Sequence, residues 1–335
     1  MELNKSLMEN GLKDILGQEG TKNQLKSALV VGRHIIIVGA PGIGKTTLAK
    51  NVAKLLPEIT VNDCEFNCLP DNPICPRCRS NKEKIKTKKI KGVQRFIRIQ
   101  GSPDLTVEDL LGDIDPIKAM KFGPLRLEAF TPGKIFKANN GILFFDELNR
   151  CPEKLQNALL QVLEEGKATI GSYDIDFPAN FIFIATMNPQ DTSTERLSDV
   201  LIDRFDLVYM QYPETNDVEK EIVRLRGKKL VEFSDNLLNP TLEFVRLLRE
   251  DEKVEKKPSV RASIGLYERA QANAFLKGKN HVDFRDIQDA VISVLSHRMS
   301  LRPSAKYIKS PEEFIKEEFE DFSRRNFKEK KGGSP

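Results

Sequence analysis

Residues 39–46, Gly-Ala-Pro-Gly-Ile-Gly-Lys-Thr, constrain this chain more than any other stretch. They fit the spacing G-x-x-x-x-G-K-[ST] and directly follow an apolar run, His34-Ile35-Ile36-Ile37-Val38, that reads as a buried strand. The residues that follow, Thr47 to Leu56, carry apolar side chains at helical spacing. Strand, glycine loop and helix start together make a phosphate cradle. Gly42 and Gly44 let backbone N–H groups approach oxygen closely, and the helix dipole favours negative charge. Gly39, Pro41, Gly42, Ile43 and Gly44 would line that cradle, with Lys45, Thr46 and Thr47 closing it. Lys45 suits the β- and γ-phosphates, and the Thr46 hydroxyl suits Mg²⁺. A loop that merely turns the chain does not need this strand-to-helix setting. The motif therefore predicts binding of a nucleoside triphosphate with Mg²⁺.

A second half of the site is expected far downstream. Gly141-Ile142-Leu143-Phe144-Phe145-Asp146-Glu147 is another buried-strand run that ends in two acids. Ligands of open α/β sheets bind at the carboxyl ends of strands. There Asp146 suits the Mg²⁺ role, directly or through water, and Glu147 suits a general base acting on water. Alone, two adjacent acids at a strand end are solvated turn residues; paired with the loop at 39–46 they gain a shared purpose. A third apolar strand, 181–186, ends at Met187-Asn188-Pro189. Asn188 at its tip could hydrogen-bond both the γ-phosphate and the attacking water, although Asn-Pro is also common turn chemistry.

These motifs resemble an AAA+ ATPase, and more narrowly the magnesium-chelatase I-subunit and MoxR-like branch. Three further stretches carry the narrower likeness: 95–113 (Arg-Phe-Ile-Arg-Ile-Gln-Gly-Ser-Pro-Asp-Leu-Thr-Val-Glu-Asp-Leu-Leu-Gly-Asp), 129–141 (Ala-Phe-Thr-Pro-Gly-Lys-Ile-Phe-Lys-Ala-Asn-Asn-Gly) and Leu201-Ile202-Asp203-Arg204-Phe205-Asp206. The likeness covers roughly residues 12–300. It implies that 39–46 is the Walker A loop and 141–147 the Walker B strand. It also implies that Asn188 is sensor 1, Arg204 the arginine finger and Arg261 sensor 2. The residues around Arg261 agree in part: Ser259 after Pro258 is a plausible N-cap, so Arg261 falls in the first turn of a helix. A cation there opposes the helix dipole, which points to an external anion; a solvated surface arginine is the plainer reading.

Length agrees with two domains, 335 residues being ample for a sizeable core. The expected fold is α/β: a P-loop AAA+ parallel sheet in an αβα sandwich, followed by an all-helical lid. Residues 1–212 form the nucleotide-binding domain, with strands at 34–38, 95–100, 141–145, 181–186 and 206–210. It carries a Cys-rich, basic insertion at about 63–92 and a helix-2 hairpin insertion at about 113–135. Beyond Pro213, the stretches 216–232, 238–250, 260–277 and 283–298 read as amphipathic helices with no strand run, making a lid over 213–300. Residues 301–335 are charge-dense and read as one helix and a frayed tail.

Four of the five cysteines fall within fifteen residues, as Cys64-x₃-Cys68-x₆-Cys75-x₂-Cys78. Pro70, Pro73 and Pro76 argue for a compact loop rather than a helix or central strand. Four thiols with a Cys-Pro-Arg-Cys knuckle suit tetrahedral Zn²⁺, though the middle spacing is tight for a zinc ribbon. Two disulfides, a redox switch or an iron–sulfur cluster are alternatives. Cys151 stands alone and reads as a loop residue. From Arg79 to Arg98 there are nine basic residues against Glu83 alone. Such a run is ordinarily a solvated face; nucleic acid or an acidic protein is the sharper alternative. The formal net charge of only +4, and the lack of any aromatic within 82–91 to stack on a base, weigh against nucleic acid. No apolar run approaches the roughly 18 residues of a membrane span, and no hydrophobic signal region is seen, so a cytoplasmic protein is expected.

The resemblance implies ATP hydrolysis by a self-assembled ring, a hexamer, that remodels a protein partner carrying a von Willebrand A domain. A DNA-acting AAA+ motor of the MCM or RuvB type, gripping a strand with 121–126, is one alternative. A module that binds ATP without turnover is the other.

Overall fold

A computed structural model describes residues 2–9, 11–80, 85–124, 126–170, 175–189 and 197–327. By packing, the chain divides into two units, one of residues 1–15, 19–39 and 44–210, the other of residues 16–18, 40–43 and 211–335.

The first unit is built on five strands: β1 (His34–Val38), β2 (Phe96–Gln100), β3 (Gly141–Asp146), β4 (Phe181–Met187) and β5 (Phe205–Tyr209). They run in the order β5-β1-β4-β3-β2, and every neighbouring pair is parallel. The continuous apolar runs of β1 and β3 follow from this topology, because a parallel sheet is covered on both faces. Ile35, Ile36 and Ile37, with Ile142, Leu143, Phe144 and Phe145, are all fully buried. Register brings the strand ends together: Val38 pairs with Met187 and Gln100 with Asp146, so the loops after β1, β2, β3 and β4 leave one edge of the sheet. Helix α1 (Lys45–Leu55) starts directly after the glycine loop and buries Leu48, Ala49, Val52 and Ala53, while α2 (Glu153–Glu165) buries Leu155, Leu159 and Val162.

The sequence pattern left several elements unseen. Ile59–Asn62 and Thr87–Ile90 form an antiparallel hairpin at the base of the cysteine-rich segment. Pro76 does not keep that segment free of helix: it opens a five-residue helical turn, Pro76–Ser80, because the first helical position needs no N–H donor. The region 113–135 is not a bare hairpin. Gly112–Ile114 pairs with Phe130–Pro132, and helix Pro116–Phe122, capped by Asp115, stands between them. Leu125, at the turn expected to grip a strand, lies outside the described residues, as do residues 81–84 of the basic stretch.

The second unit is carried by α3 (Asn216–Arg226), α4 (Asp235–Glu250), α5 (Val260–Leu276), α6 (Phe284–Leu295) and α7 (Pro311–Asn326). Its core joins Leu242, Phe244 and Leu248 to Leu266, Ala270, Ile287, Val291 and Phe319. Helix α3 stops at Arg226, short of the 232 expected. A Cβ at Gly227 would lie 2.6 Å from the Tyr267 ring, so the chain turns where that ring packs. A short antiparallel ribbon, Val254–Lys256 with Ser300–Leu301, interrupts the helices, too brief to show as an apolar run.

Candidate functional site

The turn after β1 needs glycine. Gly42 has φ 78° and Gly44 φ 109°, a region that side chains disfavour, and Gly44 caps α1 without any side-chain bond to its N–H groups. A helix start without a side-chain cap is a setting that suits an anion. Gly39 N–H donates to the Met187 carbonyl at 3.1 Å, which ties the loop to β4. Lys45 Nζ donates to the Gly39 carbonyl at 2.6 Å, folded over its own loop. Ile43 is buried, Pro41 is exposed, and the Thr47 carbonyl accepts from Asn51 within α1.

Asp146 and Glu147 leave β3 in different directions. Asp146 is bonded from three sides: Thr186 Oγ1 donates at 2.7 Å, Thr46 Oγ1 lies at 3.4 Å, and the Arg98 guanidinium at 2.6 Å. The Thr46 hydroxyl and the Asp146 carboxylate are hard oxygen donors facing one another, the chemistry that Mg²⁺ requires. Glu147 sits at φ 59°, in the left-handed region, and its N–H donates to Thr186 Oγ1 at 2.9 Å. The loop after β2 presses on this turn: a Cβ at Gly101 would lie 2.0 Å from the Glu147 carbonyl oxygen. The Glu147 carboxylate accepts from Gln100 Nε2 at 3.0 Å and pairs with Arg150 at 3.1 Å. Asn188 follows β4 at the same edge, and its carbonyl accepts from Asn149 at 3.5 Å. Lys45, Thr46, Asp146, Glu147 and Asn188 thus lie along one end of the sheet.

Arg204 lies elsewhere. Register pairs His34 with Phe205 and Val38 with Tyr209, so Arg204 precedes the amino end of β5 whereas Gly39 follows the carboxyl end of β1. Arg204 is level with residue 33, so a rise of about 3.3 Å per residue separates the two by roughly 20 Å along the strands. Arg204 donates to the Val200 carbonyl at 2.7 Å and to Glu164 at 3.0 Å.

Arg261 belongs to the second unit, in the first turn of α5. Its N–H donates to the Oγ of Ser259, the N-cap. Within this unit a Cβ added at Gly42 would lie 2.6 Å from Ser259 Oγ and 3.1 Å from Arg261 Cδ. The start of α5 is held by a buried charge network. Arg249 makes two bonds to Glu219, at 2.6 and 2.7 Å, and donates a third to the Pro258 carbonyl at 2.7 Å. Ser263 on α5 donates to Glu219, and the Arg249 guanidinium lies 4.8 Å from the Tyr212 ring centroid.

Sequence reasoning missed Thr186, Arg98, Gln100, and the Glu219–Arg249 pair. Thr186 had one signal, a lone hydroxyl in an apolar strand. Arg98 and Gln100 had another, polar side chains two apart in β2 and so on one face.

The basic stretch does not form one surface. Lys86, Lys88, Lys89 and Lys91 are exposed, but Arg95 is buried and clamps the carbonyls of Pro57 and Asn140, and Arg98 serves Asp146. Burial pushes the Cys151 thiol up to about 12, far from thiolate reactivity. Cys64, Cys68, Cys75 and Cys78 converge, with all four sulfurs within 4.8 Å of one another. Among the described residues no helix is long and apolar enough to cross a membrane.

Comparisons with known proteins agree with this layout. The family model described as "Magnesium chelatase, subunit ChlI" matches residues 11–68, that of the "ATPase family associated with various cellular activities" residues 81–207, and the "AAA lid domain" residues 247–318. The chain is 29% identical to the magnesium-chelatase subunit ChlI homolog of Methanocaldococcus jannaschii, over 86% of this chain and 85% of that one. It is 28% identical to the uncharacterized protein YeaC of Bacillus subtilis, over 84% and 82%. It is 29% identical to the chloroplastic magnesium-chelatase subunit ChlI of Glycine max, over 80% and 69%. In fold it is similar to a chain in a model of the complex between subunits BchI and BchD of magnesium chelatase, with a TM-score of 0.51, 22% identity and coverage of 91% and 98%. With the parallel sheet, the glycine loop and three family models in chain order, this chain is an AAA+ ATPase, similar over most of its length to magnesium-chelatase I subunits.

Proposed function

We propose that this chain hydrolyses ATP as a ring of identical copies, a hexamer, and uses the cycle to remodel a protein partner. In this reading residues 1–212 are the nucleotide-binding domain and 213–300 the lid. The observation that carries it is the separation of Arg204 from Lys45, at opposite ends of parallel strands. An arginine roughly 20 Å along the sheet from its own phosphate loop is available to a neighbour's nucleotide instead.

Within each copy the loop residues 39–44 donate N–H groups to phosphate oxygens, and Lys45 leaves the Gly39 carbonyl for the β- and γ-phosphates. Mg²⁺, held by Thr46 and Asp146, would neutralise phosphate charge when bound. Glu147 takes the proton of the attacking water, and Asn188 orients that water beside the γ-phosphate. The Gln100 and Arg150 contacts hold the Glu147 carboxylate until nucleotide phosphates compete for those donors. Arg261 keeps the sensor 2 role that the family resemblance implies for it. A protein partner carrying a von Willebrand A domain is what the resemblance to magnesium-chelatase I subunits implies.

Mixing variants tests this. Lys45→Ala should lose nucleotide binding, and Glu147→Gln should bind ATP but turn over about 10²–10⁴-fold more slowly. Arg204→Ala should bind ATP and hydrolyse it poorly. Combined with Lys45→Ala it should regain part of the activity, because one interface then holds an intact pocket and an intact arginine. A mixture that co-assembles yet stays inactive, or dilute monomers turning over at full rate, would falsify the trans role. DNA-stimulated turnover that falls steeply with salt would favour a DNA motor instead.

A further inference from the structure

The cysteine-rich insertion sits outside the nucleotide site, and no step of hydrolysis uses it. Its hairpin brings Asn62 opposite Thr87 and leaves residues 63–86 as an excursion between two paired strands. Its residues 63–80 fold inward. Cys68, Cys75 and Cys78 are buried within the main core, beside Phe66, Phe130 and Phe136. Four thiols in an apolar pocket are hard to justify by packing alone, since smaller or purely apolar side chains would fill it.

Backbone donors are aimed at the sulfurs. The N–H groups of Ile74 and Cys75 point to Cys68 Sγ at 3.4 Å each, that of Cys78 to Cys75 Sγ at 3.4 Å, and that of Cys68 to Cys64 Sγ at 3.5 Å. Such donors stabilise sulfur that carries negative charge, the outer layer that tunes and orients metal ligands. Several thiolates together in this pocket need a cation to balance them. A single tetrahedral ion with Zn–S near 2.3 Å spaces its four sulfurs about 3.8 Å apart, which the mutual 4.8 Å limit accommodates. An iron–sulfur cage spreads its four cysteines further, and a disulfide pair would draw little from N–H donors.

We propose that Cys64, Cys68, Cys75 and Cys78 bind one structural Zn²⁺, and that this clip braces the chain leading into β3. The bracing contacts are specific. Asn67, between the first two ligands and at φ 46°, donates from its side chain to the Lys137 carbonyl at 3.0 Å. In return Asn139 donates to the Phe66 carbonyl at 3.0 Å and Asn140 to the Asn67 carbonyl at 3.2 Å. Phe66 packs on Phe136 with ring centroids 5.4 Å apart. These partners lie immediately before Gly141, the first residue of the strand that ends in Asp146 and Glu147.

The test uses the full chain, expressed with both zinc and iron supplied and purified under thiol reductant. About one zinc per chain is expected, released together with four titratable thiols by a mercurial. Replacement by Co²⁺ should give the visible spectrum of tetrahedral thiolate ligation. Cys151→Ser should keep the metal, while Cys75→Ser should lose it; if the latter does not fold, the mercurial stoichiometry and the Co²⁺ spectrum decide. A folded, metal-free chain with four free thiols, iron with acid-labile sulfide, or two disulfides surviving reduction would each overturn the zinc site. Stripping the metal should raise hydrogen exchange at 59–80 and at 134–141 together. Exchange confined to 59–80 overturns the bracing role.

Discussion

Two carboxylate–arginine pairs in this chain have the same contact distance and opposite surroundings. At the end of the sheet Asp146 meets Arg98 at 2.6 Å with the guanidinium half exposed; in the second unit Glu219 meets Arg249 at 2.6 Å with both side chains buried. Water and salt compete with the first pair, so a cation or phosphate can replace either partner at little cost. In the second, Arg249 depends on Glu219, which Arg246 also approaches at 3.5 Å, and Ser263 and the Pro258 carbonyl complete the hydrogen bonds. One arrangement suits exchange of ligands, the other a fixed shape. Distance alone does not separate a working charge from a structural one; access to water does.

The largest effect should come from the buried pair. Arg249→Met leaves the buried Glu219 with Arg246 alone, at 3.5 Å, and should cost up to about 3–5 kcal/mol in denaturant unfolding. Adding Glu219→Gln should recover part of it, because the stranded charge is gone. If Arg249→Met alone is nearly neutral, the contrast fails. Arg98→Ala should change stability by no more than ~1 kcal/mol. It should instead lower the Mg²⁺ concentration needed for nucleotide binding several-fold, since Asp146 loses a competing cation. A large stability loss with unchanged Mg²⁺ dependence would make Arg98 structural. The smallest effect concerns a half-exposed carboxylate, Asp283, the N-cap of α6. The Lys279 ammonium beside it holds its pKa near 2, below the ordinary 3.8. The resulting stabilisation is complete above about pH 4 and is lost as the pH falls toward 2. Asp283→Asn should therefore flatten that acid limb slightly and leave neutral stability within the usual range for one helix cap.

Strands β1, β3 and β4 were legible as continuous apolar runs, as a strand covered on both faces must be, whereas β2 and β5 had to be read across one charged residue each, Arg98 and Asp206. The hairpin strand Thr87-Lys88-Lys89-Ile90 was not, since three of its four residues face water and it reads as a charge run. The loop at 39–46 and the acids at 146–147 were legible as motifs. Their partners were not: Thr186 and Arg98 meet Asp146 only through the order β4-β3-β2, and pairing between distant strands leaves no mark on local spacing. Glu219, Arg249 and Ser263 come from three different helices, and each alone looks like an ordinary polar residue on an amphipathic face. The cysteine spacing announced a cluster, but its inward turn onto Phe66 and Phe136 depended on the tertiary core.

The opposite placement of Gly39 and Arg204 along the strands also fixes a bookkeeping rule for assemblies. A contact that joins the Arg204 end of one copy to the loop end of the next is head-to-tail, so its two sides are different surfaces. An open chain of n copies then contains n − 1 complete sites, with an unserved pocket at one end and an idle arginine at the other. Closing the circle adds the nth site without adding a subunit. Activity per copy should therefore climb with chain length and step upward at closure, and a copy lacking only its loop function should act as a terminator on one side alone.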